Sequence, residues 1–157
     1  MINKIKYKNP GSSSVTRFER IHTVIFNDKE NAELLIAEEI KNLIEKNNKK
    51  GKKTVLGLAT GSSPLGVYKK LIDLHKKEQF TFKNVITFNL DEYYGLKKDH
   101  KESYHHFMDE KLFKHIDINR NNIHIPDGEL DKKSIDKFCK DYEKKIKMIS
   151  ELNEYYY

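Results

Sequence analysis

A short apolar run that ends on two carboxylates constrains this chain more than any other stretch. Residues 85–90, V-I-T-F-N-L, are almost continuously apolar and rich in β-branched and aromatic side chains, the pattern of a buried strand. Asp91 and Glu92 follow at once, and Gly95 then breaks the pattern. In open parallel sheets, ligands bind in the crevice beyond the carboxyl ends of the strands. A carboxylate on a turn that a buried strand holds rigid is suited to act as a general base. An acid at a strand end also suits the cap of the following helix, and spacing alone favours that role over catalysis.

The remaining chain supplies partners for that strand. Residues 1–18 are polar, carry Pro10, Gly11 and Ser12 to Ser14, and read as a flexible or surface-lying leader. Residues 19–157 then form the α/β domain. I-H-T-V-I-F, ending at Phe26, reads as a first strand. Asn27 with Glu30 has the spacing of a capping box. Ala32, Leu35, Ile36, Ile40, Leu43 and Ile44 recur at helical spacing, which predicts a helix over 29–46 and a loop over 45–53 closing on Gly51. Residues 54–59, T-V-L-G-L-A, predict a second strand that runs straight into Thr60, Gly61, Ser62, Ser63 and Pro64. Pro64 suits the first turn of a helix, and Ser62 or Ser63 offers a cap. Leu65, Tyr68, Leu71, Ile72 and His75 mark one face of that helix, which ends near Lys77. Such a turn points free N–H groups and hydroxyls outward at a helix N-terminus, where phosphate binds well. An ordinary tight strand-to-helix connection favours the same small residues.

Ser103 reads as the cap of a helix bearing Tyr104, Phe107, Met108 and Leu112. I-H-I-P at 123–126 predicts a brief strand. From Ser134 a last helix carries Ile135, Phe138, Cys139, Tyr142, Ile146 and Ile149 in phase. The closing residues, 150–157, read as no buried strand. Alternation of strand and helix predicts a three-layer α/β/α fold with a mainly parallel, Rossmann-like sheet, incomplete at its C-terminal side.

Charge and composition narrow the partners. The 30 Lys and Arg outnumber the 24 Asp and Glu, but lysines are interspersed with acids and the arginines are only Arg17, Arg20 and Arg120. Solvated helix faces account for the excess better than a nucleic-acid surface. One cysteine, Cys139, excludes an internal disulfide and fits a reducing compartment. No apolar run approaches the roughly 18 residues of a membrane span, and residues 1–10 lack the apolar core of a signal peptide. A soluble cytoplasmic protein without a membrane partner is expected. Among the seven histidines, His105 and His106 are adjacent and diverge on a helix, so no metal site is expected.

Several motifs then act together. L-G-L-A-T-G-S-S-P-L-G-V-Y (56–68), F-N-L-D-E-Y-Y-G-L (88–96) and H-K-E-S-Y (100–104) resemble the glucosamine-6-phosphate deaminase family. The segments 74–85 and 116–128 follow its pattern too, so the resemblance runs from about residue 50 to about 145. It implies conversion of glucosamine 6-phosphate and water to fructose 6-phosphate and ammonia, an isomerisation coupled to deamination that needs no redox cofactor. By the same resemblance Asp91 is the proton acceptor between C2 and C1. Thr60, Gly61, Ser62 and Ser63 embrace the sugar phosphate, Tyr104 contacts substrate, and Glu92 is an acidic neighbour of open role. A homo-oligomer is compatible with the family-length protein.

The chain departs from the family in lacking its ring-opening segment, G-x-x-x-D-G-H-I-A-F-N-E-P, so it resembles the N-terminal half of the enzyme. Catalytic silence of residues 1–157 alone is the expectation that follows. A non-catalytic sugar-phosphate-binding module or an inactive fragment is the alternative reading. A 6-phosphogluconolactonase-like hydrolase ranks lower, because it leaves D-E-Y-Y-G-L and E-S-Y without an account.

Overall fold

The computed structural model describes residues 14–15, 24–78, 80–152 and 154–156. The leader read over 1–18 lies outside them apart from β1 (Ser14–Val15), which pairs antiparallel with β2 (Val24–Ile25). The strand read over 19–26 is therefore present at 24–25, in a separate two-stranded pair rather than in the main sheet; its residues 19–23 lie outside the described ones.

Helix α1 (Lys29–Lys49) is capped by Asp28, whose Oδ1 accepts from the Asn31 amide at 2.8 Å. The expected Asn27–Glu30 box is thus displaced by one residue. A carboxylate at Asp28 accepts that hydrogen bond and also meets the positive end of the helix dipole. The helix also runs past the predicted end at residue 46. Its stop is a Schellman arrangement: Lys52 N donates to Asn47 O at 2.9 Å and Gly51 N to Asn48 O at 3.1 Å, with Gly51 at φ 66°. Asn47, fully buried, donates from Nδ2 to Thr54 Oγ1 and anchors this end to the sheet.

The sheet comprises β3 (Thr54–Leu58), β4 (Val85–Asn89), β5 (Ile123–His124) and β6 (Glu154–Tyr156), all parallel, in the order β5-β4-β3-β6. Helices α2 (Leu65–Glu78), α3 (Tyr104–Lys111) and α4 (Ile135–Leu152) connect them in turn. The closing residues thus contradict the expectation of no strand: Thr54 to Leu56 pair with Glu154 to Tyr156. Tyrosine is a good strand residue, and the flank of β3 opposite β4 supplies the ladder.

Alternation along the strands separates two cores. Leu56, Leu58 and Val85 face α1, α2 and α3 with Ala37, Ile40, Ile44, Leu71 and Met108. Val55, Ile86 and Phe88 face α4 and Ile146. This is the three-layer α/β/α arrangement. Strand order proceeds outward from β3 to β5 and then reverses, since α4 crosses the second face to deliver β6 to the other side of β3. The reversal sits at β3, beside whose carboxyl end an α/β sheet opens a crevice.

Candidate active site

The turn that leaves β3 is pinned at its base and open at its tip. The Leu58 carbonyl accepts from Asn89 Nδ2 at 2.8 Å, and the next carbonyl, Ala59, accepts from the Tyr68 hydroxyl. Tyr68 is buried, and burial pushes its phenol well above the usual range despite the hydrogen bond to Ala59. Beyond these anchors the chain reverses at Gly61, whose φ of 94° strains any other residue even though a Cβ there would meet nothing. Ser62 and Ser63 are exposed and their hydroxyls bond no described residue, so neither caps α2 as expected. Pro64 takes the position before the helix, and its carbonyl accepts the first helical bond from Tyr68 N. The leading amides of α2 are left without intrahelical partners.

The turn that leaves β4 is organised by Glu92. Its side chain is 2% exposed. Oε1 accepts from the amides of Tyr93 and Tyr104 at 2.8 and 2.9 Å; Oε2 accepts from the His105 amide at 3.0 Å and contacts His105 Nδ1 at 2.9 Å. Burial raises the carboxyl, but these hydrogen bonds outweigh it and hold the pKa below the ordinary carboxylate value. The Glu92 carboxylate therefore sits on the N-terminus of α3, alongside the Ser103 cap, whose Oγ accepts from His106 N at 3.0 Å. Gly95 N closes the loop onto Gly128 O at 2.7 Å.

Asp91, by contrast, is exposed, as are Leu90, Tyr93 and Tyr94. The ring of Tyr93 lies 4.8 Å from that of Tyr104, and a hydrogen bond between the two side chains, with further negative charge nearby, raises the Tyr93 phenol. A cleft of about 620 Å³ is lined by Gly57, Leu58, Ala59, Thr60, Leu90, Asp91 and Tyr104. The structure thus brings Thr60, Asp91 and Tyr104 to one cavity. Gly61, Ser62 and Ser63 belong to the same turn without lining it, and Glu92 faces away into α3. The sequence placed Tyr68 only on the face of its helix and gave Asn89 no role, since Asn89 acts on a residue 31 positions away; the one signal was an amide at the end of an otherwise apolar strand.

A second cavity of about 600 Å³ lies along α3 and is lined by Lys98, His105, His106 and Arg120 among others, but Arg120 is spent on Asp109. Among the described residues no group of three or more His, Cys, Asp or Glu is placed to hold a metal. No helix of the described residues is long and apolar enough to cross a membrane.

Comparison with known proteins follows this geometry. Residues 27–155 match the family described as glucosamine-6-phosphate isomerases/6-phosphogluconolactonase. A glucosamine-6-phosphate deaminase of Thermoanaerobacter sp. (strain X514) is 50% identical over 104 residues, 66% of this chain and 40% of the relative. One of Treponema denticola is 48% identical over 131 residues, 83% of this chain and 48% of the relative. Among solved structures, a monomeric glucosamine-6-phosphate deaminase superposes with a TM-score of 0.72 at 36% identity, covering 78% of this chain and 48% of that one. A 6-phosphogluconolactonase from Thermotoga maritima gives 0.59 at 30% identity, covering 74% and 50%. The chain therefore spans about half, or less, of the length of these relatives.

Proposed function

Because the chain belongs to the family of glucosamine-6-phosphate isomerases and 6-phosphogluconolactonases, we propose that it carries the enolising base and the sugar-phosphate turn of a glucosamine-6-phosphate deaminase. The observation that carries this reading is the shared cleft of Thr60, Asp91 and Tyr104 at the carboxyl ends of β3 and β4. Asp91 is exposed and rigidly based, so its carboxylate takes the C2 proton of the open-chain amino aldose. The carbonyl oxygen gains a proton from solvent, and Asp91 returns its proton to C1 while the nitrogen loses one, which leaves an imine at C2. Water hydrolyses that imine to the ketose and ammonia. The Thr60–Ser63 turn, with the leading amides of α2 that lack intrahelical partners, receives the phosphate. Tyr104 borders the sugar from α3. The reaction belongs to amino-sugar breakdown in the cytoplasm.

The relatives at about 50% identity carry the deaminase name, which favours this substrate over the lactone of the structural neighbour. The test is exchange of the C2 hydrogen of glucosamine 6-phosphate with deuterated solvent, followed by NMR in the family-length protein, because residues 1–157 alone are expected to be silent. Asp91→Asn should keep the fold and phosphate affinity and lower exchange by about 10²–10⁴. Exchange at the unsubstituted rate in Asp91→Asn would sink the assignment. Hydrolysis of 6-phosphogluconolactone with no C2 exchange would replace it with the lactonase reading, and binding without either reaction would leave a sugar-phosphate-binding module.

A further inference from the structure

Asn89 is the last residue of β4 and stands opposite Leu58 in register. It is 1% exposed, on a strand whose other buried residues are apolar except Thr87. Its Nδ2 donates to the Leu58 carbonyl at 2.8 Å, while its own main-chain carbonyl accepts from the Tyr142 hydroxyl on α4 at 2.7 Å. The orientation of the amide is fixed by chemistry, since a flipped group would set its oxygen against the Leu58 oxygen. That orientation leaves Asn89 Oδ1 buried with no partner among the described residues. Leucine has similar bulk and would bury no unpaired acceptor, so the use of this side chain lies in its donor.

The donor acts at the exit from β3. Leu58 and Ala59 are the residues where the chain leaves the sheet, and their consecutive carbonyls are held by two buried side chains, Asn89 and Tyr68. One residue beyond Asn89 comes Leu90, then Asp91. Asn89 itself does not line the cleft, whereas Leu58, Leu90 and Asp91 do. We infer that Asn89 is a positioning residue: its side chain bonds the exit of β3 to the exit of β4 and so sets the spacing between the Thr60–Ser63 turn and Asp91. This inference rests on the deaminase reading for the identity of the sugar, but not for the mechanical link.

Two variants test it in the 157-residue protein. Asn89→Leu removes the unpaired acceptor but also leaves the Leu58 carbonyl without its side-chain donor, so its melting temperature should fall modestly without loss of the fold. Its affinity for glucosamine 6-phosphate, by titration calorimetry, should fall about tenfold to a hundredfold, since small misplacements of paired groups have effects of that size. Asn89→Asp makes the link titratable. Protonated, the acid donates to the Leu58 carbonyl and binding matches the unsubstituted protein; ionised, it repels that carbonyl and affinity drops as pH rises. The titratable neighbours are Tyr142, whose phenol burial pushes well above the usual range, His124, whose carbonyl shares the Tyr142 hydroxyl, Tyr68 on the Ala59 carbonyl, and Asp91; the unsubstituted protein corrects for these and for the sugar phosphate. A merely structural asparagine would give no such pH-dependent ratio. Unchanged affinity in Asn89→Leu together with a flat ratio in Asn89→Asp would overturn the inference. Should the unsubstituted protein fail to bind glucosamine 6-phosphate, the deaminase reading falls, and the link is judged from amide chemical shifts. Ionisation of Asn89→Asp should then move signals at 59–63 and at 90–91 together; movement confined to β4 would overturn it.

Discussion

Glu92 shows how a single carboxylate divides labour with its neighbour. Adjacent acids in the D-E-Y-Y-G-L motif have opposite surroundings: Asp91 faces the cleft, while Glu92 is saturated by three backbone amides and His105. A carboxylate so occupied is a poor proton carrier and a good clamp, because protonation would break its hydrogen bonds. Since the folded pKa lies below the ordinary value, the stability it contributes is present above the unfolded-state pKa of about 4.3 and is lost as pH falls through the folded pKa. Glu92→Gln should therefore cost about 1.5–3 kcal/mol at neutral pH, the range for hydrogen bonds to charged groups. The gap between variant and unsubstituted protein should close in acid. Chemical denaturation at pH 7 and below pH 4 measures it, and a gap independent of pH would show that charge plays no part. Spacing alone favoured a capping role for Asp91 or Glu92 over catalysis, and the family resemblance left the role of Glu92 open. What separates the two residues is contact with residues 104 and 105, which no local pattern encodes. His124 illustrates the converse. It packs 4.7 Å from the Phe88 ring, with burial and then Lys145 pushing it down to about 4.

Elements carry the loop geometry that the residues use. Helix α3 is capped by Ser103, as its pattern predicted, but its N-terminus is shared with Glu92 from the preceding loop, so loop and helix are tied together. The loop is also backed by Gly128. A Cβ there would stand 2.5 Å from Tyr93 O and 2.6 Å from Leu96 O, both backbone atoms, so Gly128 is required for space. Gly128→Ala should push the 93–96 segment away, costing about 1–3 kcal/mol as overpacking does. It should also separate the Tyr93 and Tyr104 rings, seen as loss of ring-to-ring nuclear Overhauser effects. Unchanged ring contacts and unchanged melting would show that the 127–128 turn yields instead. Helical periodicity placed α1 to α4 well because the apolar residues of each recur on one face. Their ends were less legible: α1 stops where Asn47 and Gly51 build a Schellman arrangement, and its cap is Asp28 rather than Asn27. Strand β6 was missed because the stretch Glu154 to Tyr156 shows no alternation to read, and only the flank of β3 opposite β4 gives these residues a place.

On the scale of the whole molecule, the sheet is covered unequally. Among the described residues, fourteen buried side chains form the core beneath α1, α2 and α3, whereas four form the core beneath α4. Helix α4 is long, but among its described residues only Ile146 is buried, with Ile135, Phe138, Tyr142 and Ile149 partly so. Regions with few buried apolar contacts open at free energies below that of global unfolding. Native-state hydrogen exchange should accordingly find α4 amides opening before those of β3 and β4. Ile146→Ala removes the centre of that smaller core, and Ile→Ala changes in cores cost about 2–5 kcal/mol. At the lower limit α4 exchange should accelerate roughly 30-fold, since each 1.4 kcal/mol is tenfold, while amides of α1 and α2 keep their protection. The consequence reaches the site, because the Tyr142 hydroxyl on α4 holds the Asn89 and His124 carbonyls. An open α4 releases the β4 exit just before Asp91, so sugar-phosphate affinity should fall in Ile146→Ala although no cleft residue has changed. Uniform acceleration of exchange across all helices would mean that the two cores unfold as one cooperative unit, and the coupling between α4 and the cleft would then be simple loss of fold.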